Sequence, residues 1–283
     1  MTSGLPSVGI IIPAHNEESY IGDCLAALFK SADVASSRVE IVVVANACSD
    51  KTVLVARAFA DTFRRRGWTL NVVDCPQAGK LNALNLAETK IDADITVYLD
   101  ADVIVSPGLL PAMTAALQSP EPKYASGTPH VAPARNWFTR AYARCWAKLP
   151  FVVNDVPGFG IFAVNKAGRS RWQVFPEVIS DDTFVRLHFD PTERVKVAAT
   201  YSWPMVEGIE NLVRVRRRQD QGVMEIKAIY PNLAANDKGS RATIQDIARQ
   251  FVSDPMATLA YLSVTIATRL PVLRTSHKWA RGR

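Results

Sequence analysis

Ile95-Thr96-Val97-Tyr98-Leu99-Asp100-Ala101-Asp102 is the stretch that decides the fold. An unbroken apolar run leads into two acids spaced one residue apart. Short continuous apolar runs mark strands covered on both faces, as in a parallel sheet. The same pattern occurs three times upstream. Residues 8–12 and 39–44 read as buried strands, and 70–73 as a third strand. Residues 17–30, 52–66 and 80–88 separate the strands and carry helical spacing, with Ile21, Leu25 and Leu28 on one face of the first. This alternation predicts βαβ units and an α/β fold with a mainly parallel central sheet flanked by helices. Each strand runs into a polar turn, at residues 13–18, 46–50, 77–80 and 100–102. Ligands of open α/β sheets bind beyond the carboxyl ends of the strands, so these four turns should converge.

Beyond Asp102 the pattern loosens. Residues 107–119 and 136–148 read as helices, and 156–164 as a strand with a glycine-bearing turn. Residues 181–189 read as a helix with two acids in its first turn. Residues 214–218 are a charge run, and 234–240 a linker ahead of a helical tail. No internal repeat or low-complexity segment is evident. The expected divisions are 1–110, 111–235 and 236–283.

Composition agrees with a globular domain. The chain has 283 residues, 48% hydrophobic and 21% charged, enough to bury a core and too apolar for disorder. The net charge of +6 suits anionic ligands or surfaces without choosing among them. No acid follows Asp254, whereas Arg269, Arg274, Lys278, Arg281 and Arg283 do, so the tail is basic in its own right. Cys24, Cys48, Cys75 and Cys145 form no C-x-x-C pair, which argues against zinc and thiol redox chemistry and fits a reducing compartment. Residues 1–7 lack the charged and apolar regions of a signal peptide.

Asp100-Ala101-Asp102 carries the strongest chemical signal. In an extended segment, residues two apart face the same way, so both carboxylates would enter one crevice. Their repulsion is relieved by a cation. Hard divalent cations take one or two carboxylates plus substrate phosphates. The plain alternative is a solvated acidic turn.

Four groups of residues occur in order. They are Ile12-Pro13-Ala14-His15-Asn16-Glu17-Glu18, Val42-Val43-Val44-Ala45-Asn46 with Asp50 and Thr52, Gly79-Lys80 with Asn82-Ala83-Leu84-Asn85, and Asp100-Ala101-Asp102. Together they resemble family 2 glycosyltransferases of the GT-A fold, over about residues 8–222. The resemblance implies a nucleotide-sugar-binding half at 1–110, an acceptor-binding half at 111–235 and a basic helical tail at 236–283. It implies a metal-dependent transfer from a nucleoside-diphosphate sugar to a saccharide or lipid-linked acceptor, inverting and non-processive. The cofactor would be Mn2+ or Mg2+, held by Asp102 with Asp100.

The resemblance also assigns residues. Pro13, Ala14 and Glu17 would border the base and ribose. Many members place two aspartates in the second loop, and here Asn46 would replace the acid facing the base. Lys80, Asp100 and Ala101 complete the donor side. Asp181-Asp182 resembles the family's Glu-Asp pair and makes Asp182 the general base, which would take the acceptor hydroxyl proton. Gly158 and Gly160, with Trp172 and Asp181, would shape the acceptor side. Arg216-Arg217-Arg218 matches a region where some members carry Arg-Trp; Gln219 in place of that tryptophan argues against a processive synthase, and Arg218 would bind diphosphate. Ordinary roles stand beside these: Asn16, Asp50 and Ser180 as helix N-caps, Trp172 in the core, and the arginines on a solvated face.

Residues 256–268 are uncharged but too short to span a membrane, which needs about twenty residues. A peripheral contact through the tail and packing on the domain both remain open. The expected location is cytoplasmic, with attachment to the inner membrane face left open. Rival readings are a nucleotidyltransferase, which would show an early glycine-rich phosphate loop, and a non-catalytic nucleotide-sugar-binding module. No G-x-G-x-x-G follows a strand, which disfavours a dinucleotide-dependent dehydrogenase. No nucleic-acid-binding module is recognisable.

Overall fold

The structure is a computed structural model that describes residues 4–238 and 242–270. Strand β1 (Ser7–Ala14) leads to α1 (Ile21–Phe29), β2 (Arg38–Asn46), α2 (Thr52–Arg57) and α3 (Ala60–Arg65). Then follow β3 (Thr69–Cys75), α4 (Lys80–Glu88), β4 (Ile95–Leu99), β5 (Ile104–Val105) and α5 (Leu109–Ala116). Next come β6 (Tyr124–Val131), α6 (Trp137–Trp146), α7 (Pro150–Val153), β7 (Ile161–Asn165), α8 (Lys166–Arg169) and α9 (Asp181–Arg186). The chain continues through β8 (Arg194–Trp203), α10 (Ile209–Ile229), α11 (Pro231–Ala234), α12 (Ile244–Ser253) and α13 (Pro255–Arg269).

Two compact units interleave in sequence. The first holds Met1–Pro129, Gly158–Glu177 and His188–Trp203; the second holds His130–Pro157, Val178–Leu187 and Pro204–Arg283. The first unit is built on one sheet of order β3-β2-β1-β4-β7-β6-β8-β5. β3, β2, β1 and β4 run parallel, in the register Ile10↔Ile41 and Ile10↔Val97. From β4 outward the sheet changes sense, because β7 pairs antiparallel with both β4 and β6, and β5 antiparallel with β8. Ile10, Ile12, Ile41, Val43 and Val97 are buried with Leu25 and Leu28 of α1 in one core cluster. Such strands have no solvent face, which is why their sequences read as continuous apolar runs rather than alternating ones.

Three local expectations are corrected. Asn16 is in the left-handed region at φ 53°, and α1 begins only at Ile21, so Asn16 cannot cap that helix. Residues 52–66 form two helices, separated where the Phe59 amide bonds the Ala56 carbonyl at 3.2 Å, an i to i−3 turn. Strands β6 and β8 have no counterpart in the sequence reading, because both are partly exposed and lack the unbroken apolar run that marked the others.

The second unit is helical. α6 is capped by Asn136, whose Oδ1 accepts from the Phe138 and Thr139 amides. α13 packs on α6 through Tyr142 and Tyr261, with ring centroids 5.6 Å apart. α10 contains the arginine run. Arg216 lies over the Tyr261 ring at 5.8 Å, and Arg217 donates to the Thr268, Ala267 and Leu270 carbonyls, closing the C-terminus of α13. Two of the three arginines are therefore structural, and Arg218 is the half-buried third. Residues 239–241, the first two of them inside the expected linker, and 271–283, with four of the tail's basic residues, lie outside the described residues.

Candidate active site

The acids end β4 as expected, but in a turn. The Val103 amide bonds the Asp100 carbonyl at 3.2 Å, so Ala101 and Asp102 turn rather than extend. Strand alternation therefore does not aim the two carboxylates; the turn does. Its position is fixed from two sides. The Asp100 amide donates to the Gly160 carbonyl at 2.8 Å, and the buried Cys24 thiol of α1 lies 3.8 Å from the Asp100 carbonyl. Burial, reinforced by the charges of Asp102 and Asp100, pushes the Cys24 thiol far above its usual range. Both acids therefore lie within electrostatic reach of this thiol, which stays protonated.

Gly158 and Gly160 hold the neighbouring turn. Both have positive φ, 73° and 68°. A Cβ at Gly158 would sit 1.9 Å from the Tyr124 hydroxyl, and one at Gly160 would sit 2.6 Å from Val103 Cγ2. Glycine is needed here so that the start of β7 can press against the acid turn.

Lys80 is the first residue of α4, and its Nζ lies 2.9 Å from Asp100 Oδ1. The resemblance put this lysine on the donor side; the fold puts it on the acid turn, where its charge offsets that of the Asp100 carboxylate. α4 is anchored from below. Tyr98 of β4 donates to Glu88 Oε1 at 2.5 Å, and Arg169 grips both Glu88 oxygens at 2.6 Å. Charge-assisted pairs of this kind carry geometric specificity. Neither Tyr98, Glu88 nor Arg169 stood out in the sequence, because each looks like an ordinary strand or helix residue until the contacts are known.

The first two loops are knitted to each other. The Glu17 amide donates to Thr52 Oγ1 at 2.7 Å, Glu18 Oε2 accepts from the Lys51 amide at 2.9 Å, and Asn16 Oδ1 accepts from the Ser49 amide at 2.7 Å. Asp50 accepts from the Thr52 amide at 3.0 Å and from the Glu18 amide at 3.2 Å, so it organises the loop rather than facing a ligand. Pro13 and Ala14 are buried at the end of β1.

Asn46 is the main departure. It is 3% exposed, its Nδ2 donates to the Ala14 carbonyl at 2.8 Å, and its Oδ1 accepts from the Gly79 amide at 3.1 Å. His15 Nδ1 lies 2.6 Å from the Asn46 carbonyl. The amide engages the protein's own backbone on both sides, which gives Asn46 a positioning role beside the base-edge role expected of it. It ties the end of β1 to the residue that starts α4. A carboxylate cannot do both, because it has no proton to give Ala14. Asn46→Asp is therefore expected to destabilise the fold by about 1–3 kcal/mol, the cost of a buried group left unpaired, and to weaken nucleotide binding with it. Burial raises the folded-state pKa of the new carboxyl above the unfolded value of about 3.9. The protonated form restores the donor, so the deficit is smallest at low pH and grows as pH rises through the folded pKa. Urea unfolding of both proteins across pH checks this; a pH-independent deficit would refute it.

Trp172 takes the core packing that stood beside its acceptor-site reading. It is 6% exposed, with Arg169 over its ring at 4.6 Å and Phe175 and His188 within 6.0 Å between ring centroids. It packs in the first unit, with no open face for a sugar.

Asp181 and Asp182 open α9 in the second unit. Ser180 stands at the N-cap without a side-chain cap bond, and Asp182 Oδ1 accepts from the Thr183 amide at 2.6 Å. α10 buttresses this corner. A Cβ at Gly222 would sit 2.2 Å from Ser180 Oγ, and Glu225, one helical turn on, accepts from the Ile179 amide at 2.7 Å. Arg186 pairs with Asp155 and Asp237, both at 3.2 Å. Although burial opposes it, Lys227 and Arg186 hold the Asp237 carboxyl below its usual range. Glu225 and Asp237 escaped the sequence reading because their partners lie about fifty residues away.

A cavity of about 350 Å³ lined by Pro6, Asp94, Leu117 and Asn165 lies where β1 and β4 begin. It is at the wrong end of the strands for a ligand of this fold. Among the described residues no cluster of three or more His, Cys, Asp or Glu could hold a metal. Asp100 and Asp102 are hard oxygen donors that fit Mg2+ or Mn2+ only if phosphate oxygens and water fill the other positions.

The model of the family described as glycosyl transferase family 2 matches residues 9–169, more than half of the chain. The chain belongs to glycosyl transferase family 2. Two curated relatives are similar over shorter spans. Glycosyltransferase AglE of Haloferax volcanii is 34% identical over 103 residues, 36% of this chain and 32% of that one. The probable glycosyltransferase YdaM of Bacillus subtilis is 32% identical over 98 residues, 35% of this chain and 23% of that one. The family 2 chain thus aligns with a third or less of either relative. Among solved structures, the mannosyltransferase PcManGT of Pyrobaculum calidifontis, in complex with GDP-Man and Mn2+, superposes with a TM-score of 0.59 at 21% identity. That match covers 94% of this chain and 75% of the other. Glucosyl-3-phosphoglycerate synthase of Mycobacterium tuberculosis, with Mn2+, UDP and glucosyl-3-phosphoglycerate, superposes with a TM-score of 0.52 at 18% identity, covering 79% of each. These likenesses carry the GT-A fold.

Proposed function

We propose that this family 2 chain transfers a sugar from a nucleoside-diphosphate sugar to an acceptor hydroxyl, with inversion and without processivity. The observation that carries the reading is the Asp100-Ala101-Asp102 turn at the carboxyl end of β4, braced by Lys80 and by the Gly160 carbonyl. Asp102 is the principal ligand for Mn2+ or Mg2+, and Asp100, shared with Lys80, supports it. When bound, that ion supplies Lewis-acid neutralisation of the leaving diphosphate.

The other roles belong to the chain itself. Pro13 and Ala14 border the nucleotide, Glu17 accepts a hydrogen bond from ribose or base, and Ala101 lets the donor approach the turn. Asp182 takes the acceptor's proton, with Asp181 beside it; Gly158 and Gly160 keep their turn small enough for an acceptor. Arg218 is the candidate cation for the departing diphosphate. Non-processivity is supported by Gln219, an exposed amide where a tryptophan would mark a synthase. The acceptor is a saccharide or a lipid-linked glycan, and the C-terminal tail is the segment that touches the membrane. No helix of the described residues is long and apolar enough to cross one.

The test is a panel of uridine, guanosine and thymidine diphosphate sugars with and without Mn2+, read by thermal shift and by nucleoside diphosphate release. The true donor, at about 100 times its Kd, adds about 2.7 kcal/mol to stability. A non-catalytic module would bind and release nothing. No shift with any donor, with or without metal, would overturn the reading.

A further inference from the structure

Among the described residues, α12 leaves most of its apolar side uncovered. None of its residues is buried, and Ile244, Phe251 and Val252 are 89%, 44% and 84% exposed. Ile244, Ile247, Ala248 and Phe251 follow i, i+3, i+4, i+7, which puts them on one face, while Gln245, Asp246, Arg249 and Gln250 take the other. The helix is not frayed at its start, since Thr243 and Asp246 form a reciprocal capping box. A well-capped amphipathic helix with a bare apolar face is unusual in a soluble domain and marks an interaction surface.

α13 continues the pattern. One side, with Ala257, Ala260, Tyr261 and Val264, is buried in the second unit. A second stripe, Met256, Leu259 and Ile266, stands exposed at helical spacing. The two helices are joined by Asp254 alone, and Arg144 holds that acid at 2.8 Å. Both helices of this pair therefore carry exposed apolar residues.

Charge identifies the occupant. Asp254 is the last acid of the chain, and Arg269, Arg274, Lys278, Arg281 and Arg283 follow it. An apolar helical face that leads into acid-free basic sequence matches a surface with both an acyl boundary and negative headgroups. A second copy of the chain would bring two basic tails together, which is unfavourable.

We propose that α12 and the outer stripe of α13 lie in the interface of an anionic lipid bilayer, α12 with its Ile244–Phe251 face down. This deepens the peripheral contact proposed above and rests on it. The contact is a monotopic one, with no segment crossing.

The test uses the full chain and vesicles of phosphatidylcholine with or without phosphatidylglycerol, sedimented in low and high salt. The wild type should bind phosphatidylglycerol vesicles at least tenfold more strongly than pure phosphatidylcholine, with weaker binding in high salt. The double variant Ile244→Ser, Phe251→Ser should lose at least tenfold of that binding while keeping its thermal midpoint, because neither side chain is buried. A Leu259→Ser, Ile266→Ser variant should lose binding in the same way. If the wild type binds but both variants bind equally well, this surface is wrong while tail contact survives. If the wild type binds neither vesicle, both fail, and donor binding is untouched. Sedimentation showing a wild-type dimer and a monomeric α12 variant would assign the face to a second copy and overturn the proposal.

Discussion

Asp102→Asn should lower sugar transfer by about 100- to 10,000-fold, the equivalent of several kcal/mol of lost leaving-group stabilisation at 1.36 kcal/mol per tenfold. Asparagine has the same shape but no charge, and a neutral amide oxygen is a poorer ligand for a hard cation. Asp100 cannot replace it fully, because Lys80 already shares that carboxylate at 2.9 Å. The loss should fall mainly on turnover, with a raised requirement for Mn2+. Folding should not suffer. Removing one of two neighbouring carboxylates relieves repulsion, so the thermal midpoint without ligand should stay level or rise. Steady-state rates over a Mn2+ titration, beside a melting curve, check both parts. Turnover within threefold of wild type at every metal concentration would remove Asp102 from the mechanism.

Asp182→Asn should cost a similar factor, about 100- to 10,000-fold, the usual worth of a positioned general base. Its signature differs. The proposed donor site uses other residues, so nucleotide and Mn2+ affinity should be unchanged while the rate collapses. The neighbouring change Asp181→Asn tests position: Asp181 is 8% exposed. Its effect should fall on acceptor KM more than on rate. Donor titration by calorimetry and single-turnover transfer separate the two. If Asp182→Asn weakens donor binding and leaves the chemical step intact, the assignment of base is wrong.

The parallel half of the sheet was legible for a physical reason. β1, β2 and β4 are covered on both faces, and only uninterrupted apolar residues meet that demand, so burial wrote itself directly into sequence. β4 (Ile95–Leu99) and α4 (Lys80–Glu88) were read to the residue. The antiparallel half was not, because β6 and β8 are partly exposed and their polar residues conceal the period. The C-terminal helices were anticipated as a class, while the bare face of α12 emerged only from exposure.

Site residues divide along the same line. The ordered motifs are local in sequence, so Asp100, Asp102 and Lys80 could be marked without coordinates. Asn46 could be marked but not understood. Its two partners, Ala14 and Gly79, lie 32 and 33 residues away, and nothing local reveals that the amide is consumed by backbone. Trp172 could likewise be marked but not placed, since an aromatic residue reads the same whether it lines a groove or fills one.

The sequence by itself determined the family, the parallel core and the acid turn, because each is encoded by residues adjacent along the chain and by the burial that adjacency implies. Tertiary structure alone decided what those residues touch: Lys80 on Asp100, Asn46 as a backbone clamp, Gly222 and Glu225 behind the Asp181-Asp182 corner, and α12 with an uncovered face. Those facts depend on segments brought together by folding, and the free energy that selects them is spread over contacts no local pattern records.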